Sequence, residues 1–473
     1  MNKLLLFISS TLGLHIALSA QKIQKPNIIL ILADDLGYGD LGCYGQQKIN
    51  TPHIDQLASQ GMRFTQHYSG TTVSAPSRCS LLTGLHTGHC EIRGNATASP
   101  EGQYPLSDSA VTLAKVLKLA GYSTGCFGKW GLGFIENTGN PLKHGFDNFY
   151  GYYCQSLAHR YYPKYLWNND KKIMLNNQGS MLRDYAPDLI HQQALRFIHQ
   201  NQDTSFFLFL PYILPHAELI VPDDSLFRNN KNKFLPEKNF IGNDYGPDIN
   251  PSGYSSQLYS HAAFAAMIQR LDNYVGEIIS LLEMLNIDSN TIILFSSDNG
   301  PHLEAGADPE YFNSNGGLRG FKRDLYEGGI RVPLIVSWPG NILPGTVNNH
   351  ICSSWDFLPT FCDFANISTP EKTDGISFLN SLLGKENRQH NHLYWEFHEQ
   401  GGKQAVRLNQ WKGIKLQMAN NPEAPIELYN IESDSAETIN LANQFPDIVE
   451  RINQIMINEH HLQQNFLFPF EKK

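Results

Sequence analysis

Two acidic pairs and one serine-headed segment carry the chemistry open to this sequence. Asp34-Asp35 ends one apolar run, and Ser297-Asp298-Asn299-Gly300 ends another. Acidic residues commonly end strands as turn formers, so either pair alone reads equally well as punctuation. Together, three carboxylates and one amide oxygen make a hard, all-oxygen donor set, suited to calcium, with magnesium as the alternative, and poorly matched to zinc. The segment Ser74-Ala75-Pro76-Ser77-Arg78-Cys79-Ser80-Leu81-Leu82-Thr83-Gly84 reads as a short helix with Ser74 as N-cap, Pro76 in the first turn and Gly84 closing it. A helix start attracts anions through its free N–H groups and dipole, and Arg78, one turn on, can return its guanidinium toward residue 74. A capped helix without any ligand accounts for the same residues equally well.

These residues lie far apart in sequence, so long-range elements must bring them together. Runs 27–33, 206–210 and 291–295 read as buried parallel strands, each ending in polar residues, with helical patterns between them, among them 111–120 and 258–285. The alternation predicts an α/β fold with a doubly wound, mostly parallel sheet flanked by helices. Ligands bind beyond the carboxyl ends of such strands, where Asp34, Asp35, His216, Asp298 and Asn299 emerge. After about residue 385, extended runs at 392–397, 405–407, 413–417 and 426–429 precede an amphipathic helix near 446–459, which predicts a smaller antiparallel sheet with a helix packed on it. The expected division is a catalytic domain over 21–385 and a C-terminal α+β subdomain over 386–473. The polar segment 221–256 reads as a long loop or lid.

With 473 residues, 41% of them hydrophobic and 17% charged, the chain can bury a large core. A net charge of -9 without basic runs argues against broad nucleic-acid binding, which needs Lys and Arg in excess on one face. Such a chain, if it handles an anion, must build positive charge locally from a metal and a few placed bases. Residues 1–20 carry Lys3, an apolar run to Leu18 and the small Ser19 and Ala20. They read as a cleavable signal peptide of a periplasmic or secreted protein, the apolar run falling short of the ~20 residues that a span requires. No other run is long enough for stable membrane insertion. The seven cysteines, at 43, 79, 90, 126, 154, 352 and 362, have no CxxC or zinc-like spacing. They signal neither a disulfide framework nor a thiolate metal site, and one or two bridges stay open.

The segment from Ser74 resembles the signature of the type I, formylglycine-dependent sulfatases, in which Cys or Ser begins C/S-x-P-x-R-x-x-x-L-T-G. Pro76, Arg78, Leu82, Thr83 and Gly84 all fall in register. The likeness covers nearly the whole mature chain, including Thr51-Pro52-His53-Ile54-Asp55, Gly128-Lys129-Trp130-Gly131-Leu132-Gly133, Leu214-Pro215-His216, Leu318-Arg319-Gly320-Phe321-Lys322, Tyr326-Glu327-Gly328-Gly329 and Asp374-Gly375-Ile376-Ser377. It implies an alkaline-phosphatase-like fold and an arylsulfatase-like bacterial carbohydrate sulfatase acting on a sulfated saccharide. By the resemblance, a maturase oxidises Ser74 to formylglycine before export, and Ser rather than Cys implies a radical enzyme that works without oxygen. One calcium ion would then be held by Asp34, Asp35, Asp298, Asn299 and the modified Ser74. Arg78, Lys129 and Lys322 become catalytic groups, the two lysines binding sulfate, and His216 becomes the acid that protonates the leaving alcohol. An aldehyde hydrate offers two hydroxyls on one carbon, one to attack sulfur and one to expel sulfate by reforming the carbonyl.

One position departs from the pattern. Family members commonly carry His after Gly-Lys-Trp, touching the formylglycine hydroxyl, whereas this chain has Gly131. His159 and His302 are candidates for that role or for substrate hydroxyls, with Lys129 or water as alternatives. The aromatic-rich stretch 149–167 favours a sugar as the alcohol, because aromatic faces stack on sugar rings. Two other readings stay open: a phosphate or phosphonate ester hydrolase of the same superfamily, and a glycan-binding pseudo-sulfatase, for which Gly131 is the argument.

Overall fold

Asn27–Ala33 is apolar at nearly every position, as a strand covered on both faces must be, and every residue of it is buried. In the computed structural model, which describes residues 25–99, 101–178, 181–243, 246 and 253–472, this segment is strand β1. The expected signal peptide lies outside the described residues. Four more strands, β2 (Ser123–Lys129), β3 (Asn148–Tyr152), β4 (Phe206–Pro211) and β5 (Thr291–Ser297), join it in the order β5-β1-β4-β2-β3, all parallel. Antiparallel Leu334–Ser337 pairs with β5, antiparallel Tyr165–Asn168 pairs with β3, and three short strands complete a ten-stranded sheet. The mostly parallel, doubly wound expectation therefore holds.

The two-residue period of a strand sends alternate side chains into two different cores. Ile28, Leu30 and Leu32 pack with Ala75, Cys79, Leu81 and Leu82 of helix α1 (Ser74–Thr83) and with Phe357 and Phe361. A one-turn helix, α2 (Gln155–Ala158), follows β3. Ile29, Ile31 and Ala33 pack on the opposite face against helix α3 (Ser260–Met284), whose Ala262, Ala263, Ala265 and Ala266 let it lie close to the sheet. The segment 221–256 holds a short helix, Ser225–Asn230, and is otherwise irregular over its described residues. The aromatics of 149–167 do not form a stacking platform: Phe149, Tyr152, Tyr153, Tyr161 and Trp167 are all buried in the two cores.

The terminal part matches its pattern closely. Strands Leu393–Phe397, Lys403–Leu408, Trp411–Lys415 and Ile426–Asn430 form an antiparallel sheet, followed by helix α4 (Pro446–Glu459). One face buries Trp395, Phe397 and Ile414 against Tyr68, Tyr326 and Trp355 of the larger unit, and the other buries Tyr394, Val406 and Leu428 under Ile452 and Met456 of α4. Buried ions are paired across the junction: Arg93 with Glu396 at 2.8 Å, and Lys412 with Glu327 at 2.9 Å. All seven cysteines are free, so neither of the bridges left open by the sequence forms. No described helix is long and apolar enough to cross a membrane.

Glu459, at the end of α4, accepts from His86 at 3.1 Å and from His392 at 3.0 Å, and lies 3.6 Å from His89. Replacing it by Ala (Glu459→Ala) removes the acceptor that ties the last helix to the loop after α1. The unfolding free energy, measured by denaturant titration, should fall by about 1–3 kcal/mol. A change under ~0.5 kcal/mol, the size of an ordinary surface substitution, would contradict that role for Glu459.

Candidate functional site

Each of the five parallel strands delivers a polar side chain just past its carboxyl end. Asp34 and Asp35 follow β1, Lys129 ends β2, Gln155 follows β3, His216 follows β4, and Asp298 and Asn299 follow β5. Helix α1 points its N-terminal end at the same place. Ser74 is its first helical residue; Val73 occupies the N-cap without a side-chain bond, one residue from the position expected. Gly84 closes the helix with φ 69°, as the sequence predicts.

Ser74 Oγ donates to Asp34 Oδ1 at 3.1 Å and lies 3.2 Å from Lys129 Nζ, which also donates to Asp34 Oδ2 at 2.6 Å. Arg78 reaches back across the first turn and donates through Nε and Nη2 to Asp298 Oδ2, at 3.1 and 2.8 Å, and through Nη1 to the carbonyl of Lys129 at 2.9 Å. On the other side Lys322 Nζ donates to Asp35 Oδ2 at 2.8 Å and to His216 Nε2 at 3.0 Å. The Nδ1 of His216 bonds the carbonyl of Ala217, which fixes the tautomer and leaves Nε2 to accept from Lys322. Lys129 and Lys322 are thus buried members of an ion network rather than solvated surface charges.

Burial, and then the Asp34 carboxylate beside it, push Asp298 above the usual carboxylate range, and burial pulls Lys129 below the usual range for an amine. Asn299 Nδ2 donates to Asp35 Oδ1 at 2.6 Å, while Asn299 Oδ1 is buried without a hydrogen-bond partner among the described residues. Three buried carboxylates and one orphaned amide oxygen fit a hard divalent cation, which would relieve both the crowding of negative charge and the unpaired acceptor. Asp35 takes the left-handed conformation, φ 62°, which costs a non-glycine residue about 1–2 kcal/mol. Such strain is characteristic of sites that aim a ligand.

Every residue expected at the site reaches it, in two tiers. Ser74, Arg78, Lys129, Lys322, His216 and the acidic set are bonded to one another. His159 and His302 flank His216, stacked at ring separations of 4.8 and 5.7 Å. His302 spends both nitrogens on backbone, Nε2 donating to the Pro215 carbonyl and Nδ1 accepting from the Glu304 amide, so it props His216. His159 is half-buried, and its ring nitrogens make no hydrogen bond among the described residues. Two residues carry no sequence signal: Gln155, and Glu304, which lies 3.4 Å from Lys322 and 2.6 Å from Arg323. Burial opposes the charge on Glu304, but Lys322, then His302 and Arg323, overcome it and hold the carboxyl far below its usual range. The terminal sheet buttresses this side, since Lys403 donates to the carbonyl of Arg323 at 2.6 Å and to Asp324 at 3.1 Å.

The family model described as "Sulfatase" matches residues 26–367, and one described as "N-sulphoglucosamine sulphohydrolase, C-terminal" matches 318–463. An N-acetylgalactosamine-6-O-sulfatase of Bacteroides thetaiotaomicron is 30% identical over 93% of this chain and 94% of its own. An arylsulfatase of Hemicentrotus pulcherrimus is 32% identical over 82% of this chain and 67% of its own. Among solved structures, Ps i-CgsB in complex with k-i-k-neocarrahexaose aligns with a TM-score of 0.77 at 28% identity, covering 94% of both chains.

A cation held by the acidic set binds the folded state only. Calcium at a hundred times its dissociation constant should therefore stabilise the protein by about 2.7 kcal/mol, read as a rise in melting temperature. In Asp35→Asn and Asn299→Ala the rise should shrink or vanish, whereas equal shifts in all three proteins would place calcium elsewhere.

Proposed function

Because the chain belongs to the sulfatase family of sulfuric ester hydrolases, we propose that it cleaves the S–O bond of sulfate esters on carbohydrate, with a nucleophile made by oxidising Ser74 to formylglycine. The observation that carries the reading is the convergence on Ser74 Oγ of Lys129, Asp34 and the start of α1, beside an acceptor, Asn299 Oδ1, that is unpaired among the described residues. As its hydrate, the aldehyde supplies two hydroxyls on one carbon, one to displace the alcohol from sulfur and one to release sulfate. A divalent cation, calcium by its donor set, would be held by Asp34, Asp35, Asp298, Asn299 and the modified residue, and supplies positive charge against the nucleophile and the sulfate oxygens.

The chain's own groups do the rest. Lys129 orients the oxygen at position 74 and offers it a positive charge at 3.2 Å. Arg78 fixes Asp298 through two donors and ties it to the end of β2 through the Lys129 carbonyl. Lys322 and His216 face each other at 3.0 Å on the far side. This supports a role for the pair in binding sulfate and in protonating the departing alcohol oxygen through His216 Nε2, which takes the proton it passes on from Lys322. His159, open at its ring nitrogens, suits a substrate hydroxyl.

The carbohydrate assignment draws on the relatives named above rather than on the aromatic stretch, which is core. A radical-type, oxygen-independent maturase acting before export, and a periplasmic or secreted destination after signal-peptide cleavage, complete the reading. The pseudo-sulfatase alternative draws on Gly131, and the complete signature after Ser74 disfavours the phosphate or phosphonate alternative.

Co-expression with a maturase should convert Ser74 to a species about two mass units lighter by peptide mass spectrometry, through loss of two hydrogens. That protein should hydrolyse an aryl sulfate or N-acetylgalactosamine 6-sulfate faster than the matching phosphate. Ser74→Ala should lose essentially all turnover. Faster phosphate release, or sulfated sugar bound without sulfate released by converted protein, would select one of the two alternatives.

A further inference from the structure

The turn after β2 and the first turn of α2 meet at one point. Gly131 lies two residues beyond Lys129 with φ 77°, and a Cβ added to it would stand 3.2 Å from Nε2 and 3.4 Å from Cγ of Gln155. The register that presses them together is set by backbone bonds, Trp130 N–H to the Tyr152 carbonyl at 2.9 Å and Gly131 N–H to the Tyr153 carbonyl at 3.0 Å. Gln155 is 7% exposed, and its Nε2 is buried without a hydrogen-bond partner among the described residues. Folded proteins rarely leave a buried amide nitrogen unpaired, and each exception calls for an acceptor from elsewhere. One helical turn along, His159 stacks on His216 at 4.8 Å. Gln155 thus sits against Gly131, two residues past Lys129, and one helical turn before His159, which stacks on His216.

We infer that Gln155 is a catalytic residue whose carboxamide fills the space a side chain at position 131 would enter, and that its Nε2–H donates to an anionic oxygen of the bound sulfo group. The inference rests on the sulfatase reading above. A carboxamide has no proton that titrates in the working range, so it stabilises charge as a fixed dipole and does not serve as a base. Glycine at 131 and glutamine at 155 then belong together, because any side chain at 131 would start against the carboxamide.

The test compares converted wild type with Gln155→Ala and Gln155→Glu, each checked for equal formylglycine content and melting temperature, in turnover of a sulfate ester and in calorimetric binding of inorganic sulfate with calcium present. Loss of the donor should lower kcat about tenfold or more in Gln155→Ala. Gln155→Glu should fall lower still, its carboxylate repelling the anion, and sulfate affinity should weaken in the same order. A packing role predicts no such ranking. Gln155→Ala within twofold of wild type in both readouts, or Gln155→Glu equal to Gln155→Ala, overturns the assignment. If converted wild type releases no sulfate, the sulfatase reading falls, and the sulfate-binding comparison still decides the Gln155 contact.

Discussion

Ionised carboxylates are costly to bury, yet Asp34, Asp35 and Asp298 are all shielded from solvent at the ends of neighbouring strands. Their charge is tolerable only because Arg78, Lys129 and Lys322 are buried among them, three cations against three anions, each within hydrogen-bond reach of a partner. Much of the surrounding architecture serves that balance. The parallel sheet supplies the carboxylates and Lys129 at fixed spacing, α1 returns Arg78 to the strand ends, and the loop after β5 brings Lys322 back from the opposite side. A divalent cation upsets the neutrality by two charges, and an incoming anion restores part of it. Cation and anion binding at such a site must therefore strengthen one another.

The small terminal sheet belongs to this arrangement and is more than an appendage. Lys412 and Tyr68 both bond Glu327, five residues past Lys322, and Lys403 holds the backbone of Arg323, the residue next to it. Lys322 thus stands on a loop clamped from below by a separate sheet. That gives a long, flexible side chain the preorganisation that charge stabilisation requires.

Much of this was legible in the sequence. Strands β1, β4 and β5 declare themselves by unbroken apolar runs, because burial on both faces leaves no room for polar residues, and α4 by its amphipathic period. Strand β2, STGCFGK, does not: its glycines let neighbouring backbones approach, and it takes its strand character from pairing with β3 and β4 rather than from its own composition. The aromatics of 149–167 pointed to a sugar through a stacking surface that the structure does not form, since ring-rich segments fill cores and line clefts with the same residues. Ser74 fell one position from the helix boundary expected, within the fraying that any such boundary shows. Gln155 and Glu304 were invisible because their positions follow from strand register and loop path, which no local motif encodes.

All ten residues of α1 are buried, Ser74 among them with 1% of its surface exposed, beneath Asp34 and Lys129. No modifying enzyme could close around that side chain in the finished fold without tearing out the helix and the ion network packed on it. The proposed oxidation of Ser74 would therefore have to precede folding, while the polypeptide is still extended. On that reading the interval between synthesis and folding would decide the fate of the molecule, and a copy that folded first would keep its hydroxyl for life.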